Sequence, residues 1–312
     1  MVRSQTASEP RIAVLGAGVI GQVLAARLHA GGVDVALVAR GRTRRRLAER
    51  GGVRLRQDGD DAVHRVPVVD AEEPGTYDLV IVCLRAEDLP GALPVIDAMG
   101  APTVVPMMHL ADQLDLLTAH VGSQRLVRAF PGLGGRLTDD GAVEWLAVGK
   151  AQPTTVDGRA PRADEVMDVL RRGGPEVVTT EDMDSWTATH EVFIAALGAA
   201  VVRAGGDPAA LARDRSLLVA CVEAVRSGLR VLRASGAAVE PAPVRILFLR
   251  MPRWFAVAYW RRAFPGPIGR VTIAPHVWRS RDDEMPVLWR RALELTDWDP
   301  PMAALLEPLG LE

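Results

Sequence analysis

A glycine run near the N-terminus constrains this chain more than any other feature. In RIAVLGAGVIGQVLAARLHAGGVDVALVARG, Gly16, Gly18 and Gly21 stand in G-x-G-x-x-G spacing. They follow an apolar run that reads as a strand, open a stretch that reads as a helix, and precede a second strand-like run. That β-α-β frame gives the spacing its meaning. Gly16 allows the tight turn, Gly18 leaves no side chain where backbone must approach a pyrophosphate, and Gly21 lets helix and strand pack closely. The helix N-terminus then turns free N–H groups and the positive end of its dipole toward phosphates. The frame predicts a Rossmann-type dinucleotide site.

The end of the second strand selects the dinucleotide. NAD-binding chains usually carry a carboxylate there, about 20 residues past the glycines, to hold the ribose 2′-hydroxyl. Here the residues are Val38-Ala39-Arg40-Gly41-Arg42, with no acid among them. Arg40 can lie against the adenine and pair with a 2′-phosphate. Arg42 adds positive field, and Arg44, Arg45 and Arg46 read as a solvated helix face. The expected cofactor is NADP(H).

Up to about Val178, short β-branched runs alternate with helical stretches, and from Asp184 onward nearly everything reads as helix. The expected fold class is α/β: an N-terminal Rossmann-type doubly wound sheet over residues 1–182, then an all-helical C-terminal domain over 183–312. The substrate cleft should lie between them, and the C-terminal helices should carry a homodimer contact. Strands are expected at Ile12–Leu15, Val33–Val38, Leu79–Leu84, Thr103–Pro106 and Leu126–Phe130, with helices starting near Val19, Asp88 and Asp112. Val53 to Val69 suggests a hairpin around its GDD. A second antiparallel patch is expected from Val143–Val148 with Pro153–Val156, after the Gly-rich FPGLGG of residues 130–135, which reads as a flexible loop. Later helices are expected at about 184–203, 208–235, 242–263 and 279–296, separated by Gly- and Pro-rich breakers.

Composition removes several classes of function. With 48% hydrophobic and 24% charged residues among 312, the chain can build a real core and is not a disordered one. Apolar runs such as Ile194–Val202 reach about half of the roughly 20 residues a bilayer crossing needs, and MVRSQTASEP has no apolar secretion core. A soluble cytoplasmic protein is expected. Cys83 and Cys221 lie far apart in apolar segments, so neither a disulfide framework nor a zinc spacing is available. A net charge of −2 argues against nucleic acid or an anionic membrane as partner and favours a small-molecule substrate. Of 37 basic residues only Lys150 is lysine, so chemistry that needs an amine has one candidate, and that one reads as solvent-facing.

The order of these pieces resembles the ketopantoate reductase family: a GAGxxG loop, an arginine closing the second strand, and a helical C-terminal domain. The resemblance runs from Arg11 to about Leu306 and is looser in the last third. VCLRAEDLPGAL at 82–93 resembles the family's segment near the cofactor, with Arg85 where the family has lysine. DMDSWTATHEVF at 182–193 resembles the tryptophan-containing start of the family's first C-terminal helix, and RDDEM at 281–285 its acid-bearing segment, with Glu284 matching a catalytic carboxylate. The resemblance implies an NADPH-dependent reductase, with Arg85 beside the cofactor and Glu284 orienting a substrate hydroxyl or amine. The departures matter as much. The family's catalytic lysine falls two residues after the tryptophan, which is Ala188 here, and its asparagines fall at Val192 and Ala196. The family's substrate-side Asn-Gly is Met108-His109. Ketopantoate is therefore a poor substrate expectation, and a small or medium carbonyl or imine a better one.

Reduction of a carbonyl leaves an alkoxide that must be protonated or hydrogen-bonded, which histidine can do in place of lysine. His190 lies four residues after Trp186 on the same helix face; it is either the proton donor or a helix histidine bonded to a backbone carbonyl or Glu191. His109 sits just past the carboxyl end of a parallel strand, where open α/β sheets bind ligands, and His276 precedes the Glu284 segment. Trp254, Phe255, Tyr259, Trp260, Trp278 and Trp289 form an aromatic-rich region suited to core or dimer packing, or to an apolar substrate wall. Asp139-Asp140 and Asp282-Asp283 lack further ligands at metal spacing, so no metal site is expected. Two other readings stand beside the reductase: an NADP-binding sensor or scaffold without turnover, and a non-redox cyclase or isomerase.

Overall fold

The computed structural model describes residues 9–174 and 176–310. The N-terminal MVRSQTAS, expected to hold no secretion core, lies outside them. β1 (Ile12–Leu15), α1 (Val19–Ala30), β2 (Val35–Ala39) and α2 (Gly41–Glu49) form the anticipated β-α-β unit. A hairpin follows, β3 (Val53–Gln57) and β4 (Asp60–His64). Its turn, Asp58-Gly59, has positive φ at both residues, the twist that suits a two-residue hairpin. The hairpin ends at His64; β5 (Val68–Asp70) instead joins the main sheet as a parallel edge strand. β6 (Leu79–Val82), α3 (Leu89–Met99), β7 (Thr103–Pro106) and α4 (Leu114–Val121) complete a five-stranded parallel sheet of order β5-β2-β1-β6-β7. Its central strands are buried on both faces, which is why they read as unbroken apolar runs. Ile12 and Val14 pack toward α1, whereas Ala13 and Leu15 pack with α3 and α4, so side-chain alternation builds two cores around one sheet.

The next segment departs from expectation. β8 (Ala129–Phe130), β9 (Leu133–Leu137), β10 (Val143–Ala147) and β11 (Thr154–Asp157) belong to two small sheets, and β10 does not pair with β11. β10 lies between β3 and β9, whereas β11 lies between β8 and β12 (Val177–Thr180), the latter reached through α5 (Ala163–Arg172). FPGLGG is consequently not one flexible loop: Phe130 ends β8 and Leu133–Gly135 begin β9, with only Pro131 and Gly132 between them. Its glycines serve close packing: a Cβ on Gly134 would meet the Thr272 side chain at 2.8 Å, and one on Gly135 the carbonyl of Glu144 at 2.5 Å.

The remainder is helical. α6 (Met183–Arg203) is capped by Asp182, whose carboxylate accepts from the Ser185 N–H. Its length and apolarity would suffice to cross a bilayer, but 78% of its most apolar window is buried within the fold. α7 (Pro208–Arg213) and α8 (Arg215–Ala234) replace one expected helix, because Asp214 accepts from the Leu217 N–H and starts a new one. α9 (Ala242–Arg245) runs into a π-helical turn at Ile246–Arg250, and Pro252 separates that turn from α10 (Arg253–Ala263). A second π-helical turn, Ile268–Ile273, leads into α11 (Ala274–Ser280). The helix expected at 279–296 is broken at 281–283, where Asp283 caps α12 (Glu284–Leu295), and α13 (Pro300–Leu306) closes the domain. α6, α8 and α12 share the second domain's core.

Candidate active site

A single cleft of about 1200 Å³ runs from the glycine loop to the helical domain. The three glycines divide their work there. Gly16 has φ +107°, and a Cβ on it would sit 2.3 Å from the Cys83 carbonyl. A Cβ on Gly21 would lie 1.9 Å from the Gly16 carbonyl, so helix and turn touch through this position. At Gly18 a Cβ would meet nothing within 4 Å, and the residue opens onto the cleft. One glycine turns the chain, one seats the helix and one leaves space at the N-terminus of α1, which is the arrangement a pyrophosphate needs. Arg40, Thr43 and Ala71 line the cleft beyond β2. The Arg40 side chain is 73% exposed and, among the described residues, has Asp88 at 3.4 Å as its one ion-pair partner, so most of its guanidinium is available to a ligand. Arg44 is paired with Asp70 at 2.8 Å, while Arg42, Arg45 and Arg46 are exposed and do not line the cleft.

Arg85 also lines the cleft, but its guanidinium is engaged by Asp283 and by Glu87. It spans the two domains and anchors the residue that caps α12. Glu284 follows that cap and is 7% exposed. Burial pushes its carboxyl up to about 7, aided by the Glu87 charge and opposed by Arg85.

A row of four aromatic rings runs from the buried Trp186 into the cleft. Trp186 stacks on His190 at 5.4 Å and 6°, His190 on His109 at 5.2 Å, and His109 on His276 at 5.8 Å. Phe130 leans on His190 at 4.4 Å. His276 Nε2 lies 4.0 Å from a Glu284 oxygen and is buried without a hydrogen-bond partner. Burial among rings disfavours imidazolium: His190 is pushed down to about 3, His276 to about 4, and His109 well below its usual value, with Arg85 adding to the lowering at His276 and Asp283 opposing it. This revises the reading of His190 as an ordinary histidine acid. At neutral pH it is a neutral imidazole, able to donate one hydrogen bond. Glu191 is not its partner, being turned instead to Arg291 at 3.5 Å.

The face of α6 toward the cleft carries His190, Phe193 and Ile194. Of the positions implied by the family resemblance, Val192 and Ala196 are wholly buried in the helical core, whereas Ala188 lines an adjoining cavity of about 370 Å³ that shares Met108, His109, Phe130 and His190 with the cleft. Lys150 is exposed. The aromatic region splits three ways. Phe255, Tyr259 and Trp260 line the cleft together with Phe248, Trp289 donates from Nε1 to the Ala195 carbonyl inside the core, and Trp254 and Trp278 face solvent. The sequence held no signal for Phe193 and Phe248 as cleft residues, because the π-helical turn that presents Phe248 has no local signature. Both cysteines are buried, and burial pushes their thiols up, Cys221 to about 12, so neither offers a thiolate.

Residues 12–156 match the family Ketopantoate reductase PanE/ApbA. A 2-dehydropantoate 2-reductase of Mesorhizobium japonicum is 34% identical over 148 residues, 45% of this chain and 41% of the relative. Solved structures share the fold over nearly the whole length. A PanE/ApbA family ketopantoate reductase from Ralstonia eutropha superposes with a TM-score of 0.72 at 17% identity, covering 96% of this chain and 97% of that one. A 2-dehydropantoate 2-reductase from Geobacter metallireducens gives 0.71 at 19%, covering 96% and 99%. D-mandelate dehydrogenase in complex with NADH and anilino(oxo)acetate gives 0.69 at 15%, covering 97% and 100%.

Proposed function

Because residues 12–156 match the ketopantoate reductase family and the chain shares that fold, we propose that it is an NADPH-dependent reductase of a carbonyl or imine compound other than ketopantoate. One observation carries the reading: the open glycine loop and the His109–His190–His276 row line the same continuous cleft. Gly18 and the N-terminus of α1 would receive the pyrophosphate, and Arg40 the 2′-phosphate. When bound, the nicotinamide supplies a hydride to the substrate's carbonyl or imine carbon. His190 would hydrogen-bond the developing alkoxide, directly or through a water that yields the proton, and Phe130 and Trp186 would hold its ring and exclude bulk water. Glu284 faces the same space from the N-terminus of α12, where it would orient the substrate, and Arg85 would position it by holding Asp283.

The substrate end is apolar. Phe193, Phe248, Phe255, Tyr259 and Trp260 line it, and Trp260 Nε1 is buried with no partner. A carbonyl compound with an aromatic or alkyl substituent suits these walls better than a short polar acid does. The cytoplasm, as the source of NADPH, is the location this reading implies, and a homodimer through the C-terminal helices remains part of it. Fluorescence titration with NADPH, followed by its oxidation across a panel of ketones, keto acids and imines, tests the proposal. Binding with oxidation by an apolar carbonyl is expected. Failure to bind NADPH overturns it.

A further inference from the structure

Among the described residues no lysine lines the cleft, so no ammonium is at hand for the oxygen of a carbonyl being reduced. Ala188 brings no ammonium, and the Arg85 guanidinium at this end of the cleft is spent on Asp283 and Glu87. Three donors nevertheless converge there. One ligand atom each from His109, His276 and Glu284 lie within 4.8 Å of one another. They come from separate parts of the chain: the segment after β7, α11, and the first residue of α12. We propose that His109, His276 and Glu284 bind a divalent transition metal ion, zinc by preference, whose remaining position opens into the cleft.

Four observations support the assignment. The donor set, two imidazoles and one carboxylate, is one that zinc takes in three-ligand catalytic sites, with the fourth position left for water or substrate. His276 Nε2 is buried, has no hydrogen-bond partner, and stands 4.0 Å from the carboxylate, so a polar atom already lacks the partner an ion would provide. The Arg85 guanidinium is shared between Glu87 and Asp283, and no salt bridge among the described residues joins Glu284 to a lysine or arginine, so its carboxyl stands beside His276 without a fixed cation. The outer support also exists, since Arg85 and the Asp283 cap hold the start of α12, while the stack on His190 holds the His109 ring. Zinc–nitrogen and zinc–oxygen bonds of about 2.0–2.2 Å call for donors somewhat closer together than 4.8 Å, a change within reach of small side-chain rotations.

The inference rests on the reductase reading for its role but not for its existence. In that role the ion would draw the substrate oxygen into its open position and stabilise the charge left by hydride transfer. Glu284 would then act on the substrate through the ion, and His190, outside the donor set, would keep its hydrogen bond to the oxygen.

The test uses the tag-free, full-length protein stripped with chelator and titrated with Co²⁺ and, separately, with Zn²⁺. One equivalent of Co²⁺ should give the visible d–d absorption of a four- or five-coordinate ion, and calorimetry should show one Zn²⁺ site. His276→Ala and Glu284→Gln should each abolish the cobalt spectrum and weaken zinc binding by about tenfold or more. NADPH titration of the same variants shows that they are folded and reports separately on the reductase reading. Absence of cobalt absorption in the wild type overturns the metal site, and so does a spectrum unchanged in both variants. Loss of NADPH binding with an intact cobalt spectrum would sink the reductase reading and leave the metal site standing.

Discussion

Gly18→Ala and Gly21→Ala should separate a binding glycine from a packing glycine three residues away. At Gly18 a methyl would meet no atom within 4 Å, and φ −74° with extended ψ suits alanine as well as glycine. Folding stability should therefore change by less than about 0.5 kcal/mol. The methyl would, however, project into the cleft where the proposed pyrophosphate site lies, so NADPH affinity should fall at least about tenfold, or 1.4 kcal/mol. At Gly21 a methyl would lie 1.9 Å from the Gly16 carbonyl, against 3.4 Å for an ordinary contact, so α1 must move away from β1 by more than an ångström. Overpacking of that kind costs about 1–3 kcal/mol, which for a domain of this size lowers Tm by about 2–10 °C. Thermal unfolding and NADPH fluorescence titration, run on both variants, give the two axes. If Gly18→Ala melted early with its affinity intact, or Gly21→Ala melted like the wild type, the division of roles drawn from the loop geometry would be refuted.

Arg40→Ala should remove most of a preference for NADPH over NADH, because one charge-assisted phosphate contact is worth about 1.5–3 kcal/mol and the lost Asp88 contact is long and exposed; equal affinities in the wild type would refute this. His190→Ala should lower kcat by about 10²–10³ with NADPH affinity nearly unchanged, the size of one lost donor to an oxyanion, measured by steady-state NADPH oxidation. Glu191 tests burial directly. Its carboxyl is raised to about 7, so its contribution is most favourable below its unfolded value near 4.5 and is lost as pH rises through 7. Glu191→Gln should accordingly raise Tm at pH 8, by an effect of at most about 3 kcal/mol, and change it little at pH 5; a shift independent of pH would contradict the assignment. Residues 1–182, produced alone and shown to be folded, should bind NADPH without turnover, and a folded fragment that bound no cofactor would show that the helices supply essential contacts.

What was legible in the sequence was what short stretches of chain determine locally. Gly16, Gly18 and Gly21 announce a turn, a vacancy and a close contact because those demands are met within a few residues. The parallel strands are legible because burial on both faces requires unbroken apolar runs, and the change at residue 183 because α6 is rich in helix-forming residues behind an Asp182 cap. Tertiary structure decided what depends on distant partners. The strand-forming runs at 133–157 look alike, yet β10 is drawn to β3 and β11 to β12, since pairing is settled by which edge is free nearby. Periodicity places His190 and Trp186 on one face, but only packing against α8 and α12 determines that His190 reaches the cleft while Val192 and Ala196 turn into the core. His109, His276 and Glu284 carry no common motif, and they meet because three elements from two domains close on one space. Their titration follows from that meeting too, since desolvation, which dominates each shift, is a property of the closed cleft and not of the residue.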